Sequence, residues 1–323
     1  MPVKLWVSMF ASVAITIAIT TFGLLLILDF IGIASLTFAL IFAVIFMLIQ
    51  WLIAPRIISF AFGLIPAAEA GYPQLEAYVA EIASKSRLKK PPKIYVSPHP
   101  MANAFAFGNI FTGKKIAVTA GLLNILSPDE IKAVIAHEIG HVKHKDIEIL
   151  MALSVLPAIF YLIGRWAYYA GLFRGMYGWS SSREKTSSNL ILLGLAVISL
   201  LIYFLLSIFT LWLSRTREYY ADHHATITVE DGSYKLAKAL VKLEIMNRRV
   251  VKEYGLSKSS LAFKCLFITD PEKAPYSISA TYLDEYIYYL ATRKITFGEK
   301  LKELFSTHPL TPKRIRYLIH GVK

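Results

Sequence analysis

The sequence predicts a mainly α-helical membrane protein, with four transmembrane helices and a polar α+β part that contains a small β-sheet. Three observations carry this prediction. The 323 residues are 55% hydrophobic with a mean hydropathy of +0.51, which is too apolar for an ordinary soluble domain. Four long apolar runs alternate with charged stretches. Between the second and third runs, short segments rich in β-branched and aromatic residues indicate strands.

Each apolar run is about long enough to cross a hydrocarbon core of ~30 Å at ~1.5 Å per residue. The runs extend over residues 5–28, 33–54, 147–164 and 190–213. The first is longer than the ~7–15 apolar residues of a signal peptide, and no clear cleavage site follows it, so we expect it to be retained. Because only four residues separate it from the second run, the two favour a transmembrane hairpin.

Basic residues set the expected orientation. Lysine and arginine are abundant after the second and fourth runs, whereas the segment between the first two runs carries only Asp29. The positive-inside rule therefore places the polar parts in the cytosol. We expect a multi-pass protein of the plasma membrane. Its predicted parts are a transmembrane hairpin over 1–54, a cytosolic part over 55–146, a second hairpin over 147–213 and a second cytosolic part over 214–323.

The composition also limits the partners and the metal ligands. A net charge of +13 favours contact with an anionic lipid surface, so the lipid bilayer is an expected partner. The sequence carries no basic-aromatic motif of a known nucleic-acid-binding module, so no nucleic-acid partner is expected. Cys265 is the only cysteine, which excludes an internal disulfide and a metal site built from cysteines. Metal ligands must then be His, Glu or Asp.

Three segments predict the small sheet. Residues 93–96 and 116–119 read as strands. Between them, Asn103–Gly108 alternates small and aromatic residues, which suits an exposed edge strand. A sheet edge can bind an extended peptide through main-chain hydrogen bonds, although a plain hairpin strand without a partner fits the pattern equally well.

The segment His137-Glu138-Ile139-Gly140-His141 has the form H-E-x-x-H. Residues i and i+4 of a helix share one face, so the two histidines can bind the same metal ion. Glu138 lies beside that ion, where it can take a proton from water. Two metal ligands and a general base at this spacing are typical of zinc peptidases.

The residues before the motif predict the helix that it needs. Ser127 is a good N-cap, Pro128 suits the first helical position, and Glu130 can complete a capping box. Apolar residues then recur at a helical period, at Ile131, Val134, Ile135, Ile139 and Val142. The motif is therefore expected in the middle of an amphipathic helix.

A catalytic zinc ion usually takes three protein ligands. The best candidate for the third is Glu218, which shares a helix face with Asp222 four residues later. In this arrangement Glu218 binds zinc, and Asp222 accepts a hydrogen bond from a histidine ligand. His137 is the favoured candidate for that histidine. The neighbours His223 and His224 are alternative ligands of lower weight, and a surface ion pair of Glu218 with nearby arginines is the other interpretation.

Two further segments carry residues that could handle substrate. His308 precedes a short basic helix that contains Arg314, and a histidine or arginine near zinc could stabilise an oxyanion. Spacing alone favours a loop residue at position 308. The tyrosine-rich segment 258–300 fits a lid, a membrane-surface element or core packing alike.

With these motifs the chain resembles the HtpX-like family of membrane-bound zinc metalloproteases, relatives of the CAAX prenyl proteases. The order and spacing of the motifs carry the resemblance over most of the chain. They are the first hairpin, Asn103–Gly108, the H-E-x-x-H motif, the second hairpin, Glu218-x-x-x-Asp222, and His308 with Arg314.

The resemblance implies a zincin-like catalytic domain of the gluzincin type and an activity in proteolytic quality control. One Zn²⁺ per subunit is expected on His137, His141 and Glu218, with Glu138 as general base. The implied enzyme is a cytosol-facing endopeptidase whose protein substrates are misfolded or damaged membrane proteins. Possible contacts of the substrate or the oxyanion are His308, Arg314 and Asn103.

Three alternatives remain open at this stage. In a site-2-type protease the motif helix itself would cross the bilayer, but the charged residues around the motif make that costly. These are Asp129, Glu130, Lys132, Lys143, Lys145 and Asp146. A non-enzymatic scaffold would keep a structural zinc ion. A prenyl-peptide protease usually needs a larger membrane chamber than four helices can build.

Overall fold

The computed structural model describes residues 36–177, 183–253 and 282–321. The chain divides into two compact units. The first contains Leu52–Glu148 and Trp212–Lys323, and the second contains Ile149–Leu211 together with residues 36–51. The first predicted apolar run, Cys265 and much of the tyrosine-rich segment lie outside the described residues.

Helices make up most of the described chain. In chain order they are α1 (Leu36–Ala61), α2 (Gln74–Lys85), α3 (Ala120–Leu123), α4 (Pro128–Lys143), α5 (Asp146–Tyr177), α6 (Arg183–Thr228), α7 (Gly232–Glu253), α8 (Leu283–Thr292), α9 (Phe297–Leu304) and α10 (Thr311–His320).

A four-stranded mixed sheet lies between α1 and α3 in the sequence. Its strands are β1 (Ile65–Pro66), β2 (Lys93–Ser97), β3 (Ala104–Asn109) and β4 (Gly113–Thr119), in the spatial order β1-β2-β4-β3. Strand β2 pairs parallel to β4, and the other two pairings are antiparallel. The segment 103–108, predicted as an exposed edge strand, largely coincides with β3, which lies at the edge of the sheet but is mostly buried. Its aromatic side chains Phe105 and Phe107 are buried because they pack on Phe62, which directly follows α1, and on Tyr95 of β2.

The second, third and fourth apolar runs fall in the long helices α1, α5 and α6, which have 26, 32 and 46 residues. Among the residues that could be searched, Leu190–Thr228 is the one stretch long and apolar enough to cross a membrane by length and composition. The mainly helical class with a small sheet is confirmed. That the chain has four transmembrane helices stays a prediction.

The core of the first unit surrounds α4. Helix α4 contacts α2, α7 and the strands β3 and β4. Completely or almost completely buried side chains from these elements and from α10 form one cluster, among them Leu75, Ile116, Ile135, Leu240 and Ile315. Because α4 is enclosed in this way, the polar groups of its middle turns need partners inside the protein.

Candidate metal centre

Helix α4 begins as its sequence predicts. Ser127 Oγ accepts a hydrogen bond from the Glu130 backbone N–H, and the Glu130 carboxylate accepts one from the Ser127 backbone N–H at 2.8 Å. Lys242 on α7 lies 2.7 Å from both carboxylate oxygens of Glu130. This capping box satisfies two donors that a helix start leaves unpaired and fixes the first turn of the motif helix.

The two histidines of the motif project from one face of α4. His137 is 1% exposed, whereas the side chain of His141 is partly accessible. Their Nε2 atoms lie 3.2 Å apart. Glu138 is buried beside them. The i, i+4 spacing therefore produces two converging imidazole nitrogens.

Gly140 allows α6 to approach this face closely. A Cβ atom on Gly140 would lie 3.0 Å from Ala221 Cα and 3.1 Å from His224 Cβ, both on α6. Any larger residue at position 140 would force the two helices apart. The glycine therefore decides how near Glu218, one turn before Asp222 on α6, can come to the histidines.

Glu218 completes a cluster of three donors. Its carboxylate oxygens lie 3.7 Å from His137 Nε2 and 3.6 Å from His141 Nε2, and all three donor atoms lie within 4.8 Å of one another. Ligands at ~2.0–2.2 Å in a tetrahedral zinc site stand ~3.3–3.6 Å apart. Glu218 Oε2 is buried and forms an ion pair with Arg314, but it accepts no hydrogen bond within the described part of the chain. The donor set and this buried oxygen fit a divalent metal ion.

Asp222 supports the first histidine from behind. Its Oδ1 lies 2.9 Å from His137 Nδ1, the ring nitrogen that points away from the cluster. Arg314, on α10, binds both Asp222 oxygens, with Nη2 at 2.6 Å and Nε at 2.9 Å. Its Nη1 lies 3.2 Å from Glu218 Oε2. Arg314 thus connects the candidate ligand Glu218 with the residue that orients His137.

Arg314 does not reach toward solvent. The residue is 1% exposed, and its guanidinium is occupied by Asp222 and Glu218. The sequence-based expectation of a substrate or oxyanion contact at Arg314 is not supported by this geometry. A buried arginine between two buried carboxylates stabilises their charges and positions them.

The second histidine has a matching support that the sequence interpretation missed. His141 Nδ1 lies 2.7 Å from Asp146 Oδ2, at the start of α5. Asp146 also forms an ion pair with Arg217, whose Nη2 donates to the His144 carbonyl at 2.7 Å. Asp146 was read only as one of several charges around the motif. Its spacing of five residues from His141 gave no helical signal, because a break at Lys145, with a φ of 57°, separates α4 from α5.

The charge around His141 favours a cation. Burial by itself lowers the pKa of His141, but the hydrogen bond with Asp146 and the negative charges of Glu218 and Glu138 outweigh it and raise that pKa to about 9. Negative charge that outweighs desolvation at a largely enclosed imidazole marks a site with an excess of negative charge. The same excess would stabilise a bound divalent cation.

His308 lies next to the cluster. Its Nδ1 is 3.1 Å from Glu218 Oε1. The loop that carries it is held by Arg215, whose Nη1 donates to the carbonyls of Glu303 and Ser306, both at 2.8 Å. Spacing alone could not place His308, because 90 residues separate it from Glu218 in the sequence.

The other predicted residues occupy different positions. Asn103 is buried just before β3, where Thr119 binds both its backbone N–H and its carbonyl. His224 Nε2 lies 2.8 Å from Ser86 Oγ and is not a member of the donor cluster, and His223 is exposed. The alternative ligands at 223 and 224 are therefore not brought to the site.

Comparison with known proteins identifies the family of the chain that carries this site. Residues 69–321, most of the chain, match Peptidase family M48. The chain belongs to peptidase family M48. It is 36% identical to Protease HtpX homolog 2 of Sulfurisphaera tokodaii, over 98% of this chain and 96% of that protein. It is also 33% identical to the Protease HtpX homolog of Thermoplasma acidophilum, over 84% and 81% of the two chains.

A solved structure shares the fold. The crystal structure of S. mikatae Ste24p aligns with a TM-score of 0.60 and 21% identity, over 98% of this chain and 67% of that one. The resemblance to HtpX-like proteases is thereby confirmed. Membership of family M48 supports a membrane metalloprotease that acts on proteins or peptides, and the donor cluster supplies a place for its metal.

Proposed function

We propose that the chain is a membrane-bound zinc endopeptidase in which His137, His141 and Glu218 hold the metal ion and Glu138 moves the proton. The observation that supports this most is the convergence of three donor side chains, of which His137 and Glu218 are buried and His141 is partly accessible. Each of the two imidazoles is held by an aspartate. Such supports fix the ring orientation and the tautomer of a metal-binding histidine.

The donor set favours zinc in a catalytic rather than a structural role. Two imidazoles and one carboxylate are a common catalytic set, and three protein ligands leave a fourth position open. A structural zinc site usually has four protein ligands, often cysteines. The described residues offer three donors at this place, which argues against the zinc-stabilised scaffold.

The proposed reaction is hydrolysis of a peptide bond. When bound, the metal ion would supply Lewis-acid polarisation of the substrate carbonyl and of a water molecule. Glu138 removes a proton from that water as its oxygen bonds to the carbonyl carbon, and then delivers the proton to the amine nitrogen as the C–N bond breaks. Asp222 and Asp146 hold the two imidazoles, and Arg314 holds Glu218 and Asp222.

Two residues are proposed to act on the substrate. His308 lies beside Glu218 with about a fifth of its side chain exposed, which suits a group that stabilises an oxyanion at the site. Asn103 precedes the edge strand β3, which can bind an extended peptide through its backbone. Both roles rest on position, and neither residue belongs to the donor cluster.

The motif helix does not suit a protease that cuts within the bilayer. Helix α4 has 16 residues, whereas a membrane-crossing helix needs ~20. Its core contacts are with the sheet and with helices α2 and α7. We therefore propose a cytosol-facing site that cleaves misfolded or damaged membrane proteins, since the positive-inside rule places residues 55–146 and 214–323 in the cytosol.

Exchange of Glu138 for glutamine tests the catalytic proposal. Glu138→Gln should lower the rate of cleavage of an unfolded protein by at least ~10²–10⁴-fold, because the proton carrier is lost. Its zinc content, measured by elemental analysis, should equal that of the unchanged protein. Glu76→Gln, on the exposed side of α2, is the matched control and should keep full activity. Full activity of a zinc-loaded Glu138→Gln protein would refute the proposal.

The side of the membrane is tested separately. In a Cys265→Ser background, a cysteine introduced at Lys143, which is exposed at the end of α4, should react with an impermeant maleimide in inverted vesicles. It should be protected in intact cells. Protection in both preparations would favour the intramembrane alternative, and labelling in intact cells would reverse the proposed orientation.

A further inference from the structure

Helix α9 exposes its apolar face. Phe297 is 81% exposed, Leu301 49% and Leu304 41%, and Phe305, directly after the helix, is 60% exposed. These positions are spaced i, i+4, i+7 and i+8, so they form one continuous stripe along the helix. An ordinary surface helix places such a stripe against the core. Here the stripe faces outward, which indicates an apolar environment outside the protein.

The acidic residues of α9 face the protein instead. Glu299 accepts two hydrogen bonds from Arg293, at 2.9 and 3.1 Å. Glu303 is buried, accepts a hydrogen bond from the Leu310 backbone N–H at 3.0 Å and forms an ion pair with Lys313. Because both carboxylates have partners on the inner side, rotation of the helix to bury the apolar stripe would leave these charges unpaired.

The end of α9 is fixed to α6. Arg215 donates to the carbonyls of Glu303 and Ser306, which close the C-terminus of α9. Arg215 comes two residues after the apolar run 190–213 ends, and the exposed Trp212 lies one turn earlier on the same helix. Tryptophan at the end of an apolar run is typical of the membrane–water interface. Arg215 thus fixes the end of α9 to a residue that follows the apolar run in the sequence by two positions.

Lysines border the stripe. At ~100° per residue, Lys300 and Lys302 fall on opposite sides of the line through Phe297, Leu301 and Leu304. Both lysines are exposed. A helix with an apolar face and lysines at its edges is the pattern of an interfacial helix, in which the lysine stems follow the apolar surface and the ammonium groups reach lipid phosphates.

We propose that α9 lies flat in the interface of an anionic lipid bilayer, with Phe297, Leu301, Leu304 and Phe305 in the acyl region and Lys300 and Lys302 at the headgroups. A bilayer is favoured over a second copy or a substrate segment because a lysine borders each side of the stripe and α6 carries an apolar run that ends beside the attachment point. This inference does not depend on the peptidase activity.

Collision accessibility of spin labels tests the proposal. In the Cys265→Ser background of the full chain, single cysteines at Leu301 and Leu304 are labelled with a nitroxide, and a cysteine at the exposed Glu76 gives the aqueous reference. The proteins are reconstituted in vesicles of phosphatidylcholine with phosphatidylglycerol. Labels at 301 and 304 should collide with oxygen several-fold more, relative to a water-soluble nickel chelate, than the label at 76 does. Two independent positions keep the test valid if one variant does not fold.

Three results would overturn the proposal. The first is equal accessibility to the nickel chelate at 301, 304 and 76. The second is dipolar broadening between labels that disappears on dilution with unlabelled protein, because a second copy would then cover the stripe. The third is shielding that appears only when an unfolded protein is added, since the stripe would then bind substrate.

Discussion

Helices α4 and α9 begin in the same way and face opposite environments. Each starts with a complete capping box, formed by Ser127 with Glu130 in α4 and by Thr296 with Glu299 in α9. In both, the cap hydroxyl accepts the N3 backbone N–H, and the glutamate accepts the cap backbone N–H. The local rule that starts a helix is thus satisfied equally in the two places.

Burial separates the two helices. The apolar side chains Ile135 and Ile139 of α4 have no exposed surface, its His137 is buried, and each of its two motif histidines lies beside an aspartate. The apolar side chains of α9 are exposed, and its acids face inward. The comparison teaches that an amphipathic pattern specifies a face but not the medium that the face meets. In α4 that medium is the protein core, and in α9 we propose that it is lipid.

The largest expected difference concerns a single apolar side chain in each helix. Ile135→Ala should lower the free energy of unfolding in detergent by ~2–5 kcal/mol, because it removes fully buried methyl groups and leaves a cavity. Leu301→Ala should change it by less than ~0.5 kcal/mol, because the side chain is half exposed and has no tight packing to lose. Chemical denaturation followed by circular dichroism measures both. Similar losses for the two variants would remove the contrast between the helices.

The next largest effect is expected for zinc affinity, when an acidic residue that faces the protein interior is replaced by its amide. Asp146→Asn should weaken zinc binding by ~10–100-fold, because the amide cannot hold the His141 ring with a negative charge. Glu299→Gln, the inward acid of α9, is the control and should leave the zinc affinity unchanged. Competition with a fluorescent chelator gives both affinities. An unchanged zinc affinity in Asp146→Asn would mean that Asp146 does not support the metal ligand and contributes only its ion pair with Arg217.

The smallest effect is expected to be the same in both helices. Ser127→Ala and Thr296→Ala should each lower stability by about 1 kcal/mol, since each removes one cap hydrogen bond. Thermal unfolding of the two variants beside the unchanged protein measures this. A loss of stability in Ser127→Ala several times that in Thr296→Ala would show that the cap contribution depends on burial. The two capping boxes would then be alike in geometry but not in energy.

Much of the site could be predicted because its signals are local. The capping residues, the His137–His141 spacing and the Glu218–Asp222 spacing each depend on one helix, and the geometry of a helix is known in advance. Asp146 was missed because it lies past a helix break, and the position of His308 could not be predicted because it depends on Arg215 holding a distant loop. The buried pairing of Arg314 was missed for the same reason, since a basic helix gives no sign of which way its arginines point.

The sequence by itself determined which residues are candidates for the chemistry: two histidines and a glutamate on one helix, and a glutamate and an aspartate on another. It also determined the long apolar runs from which a membrane protein is predicted. Only the tertiary structure decided that Gly140 lets α4 and α6 meet, that each histidine has its own aspartate, and that α9 exposes its apolar face. The physical reason is the range of the forces. Propensity, capping and periodicity act within a few residues, whereas close approach and charge pairing depend on distances between atoms that are far apart in the sequence, such as the 92 positions between Asp222 and Arg314 and the 112 between Glu130 and Lys242.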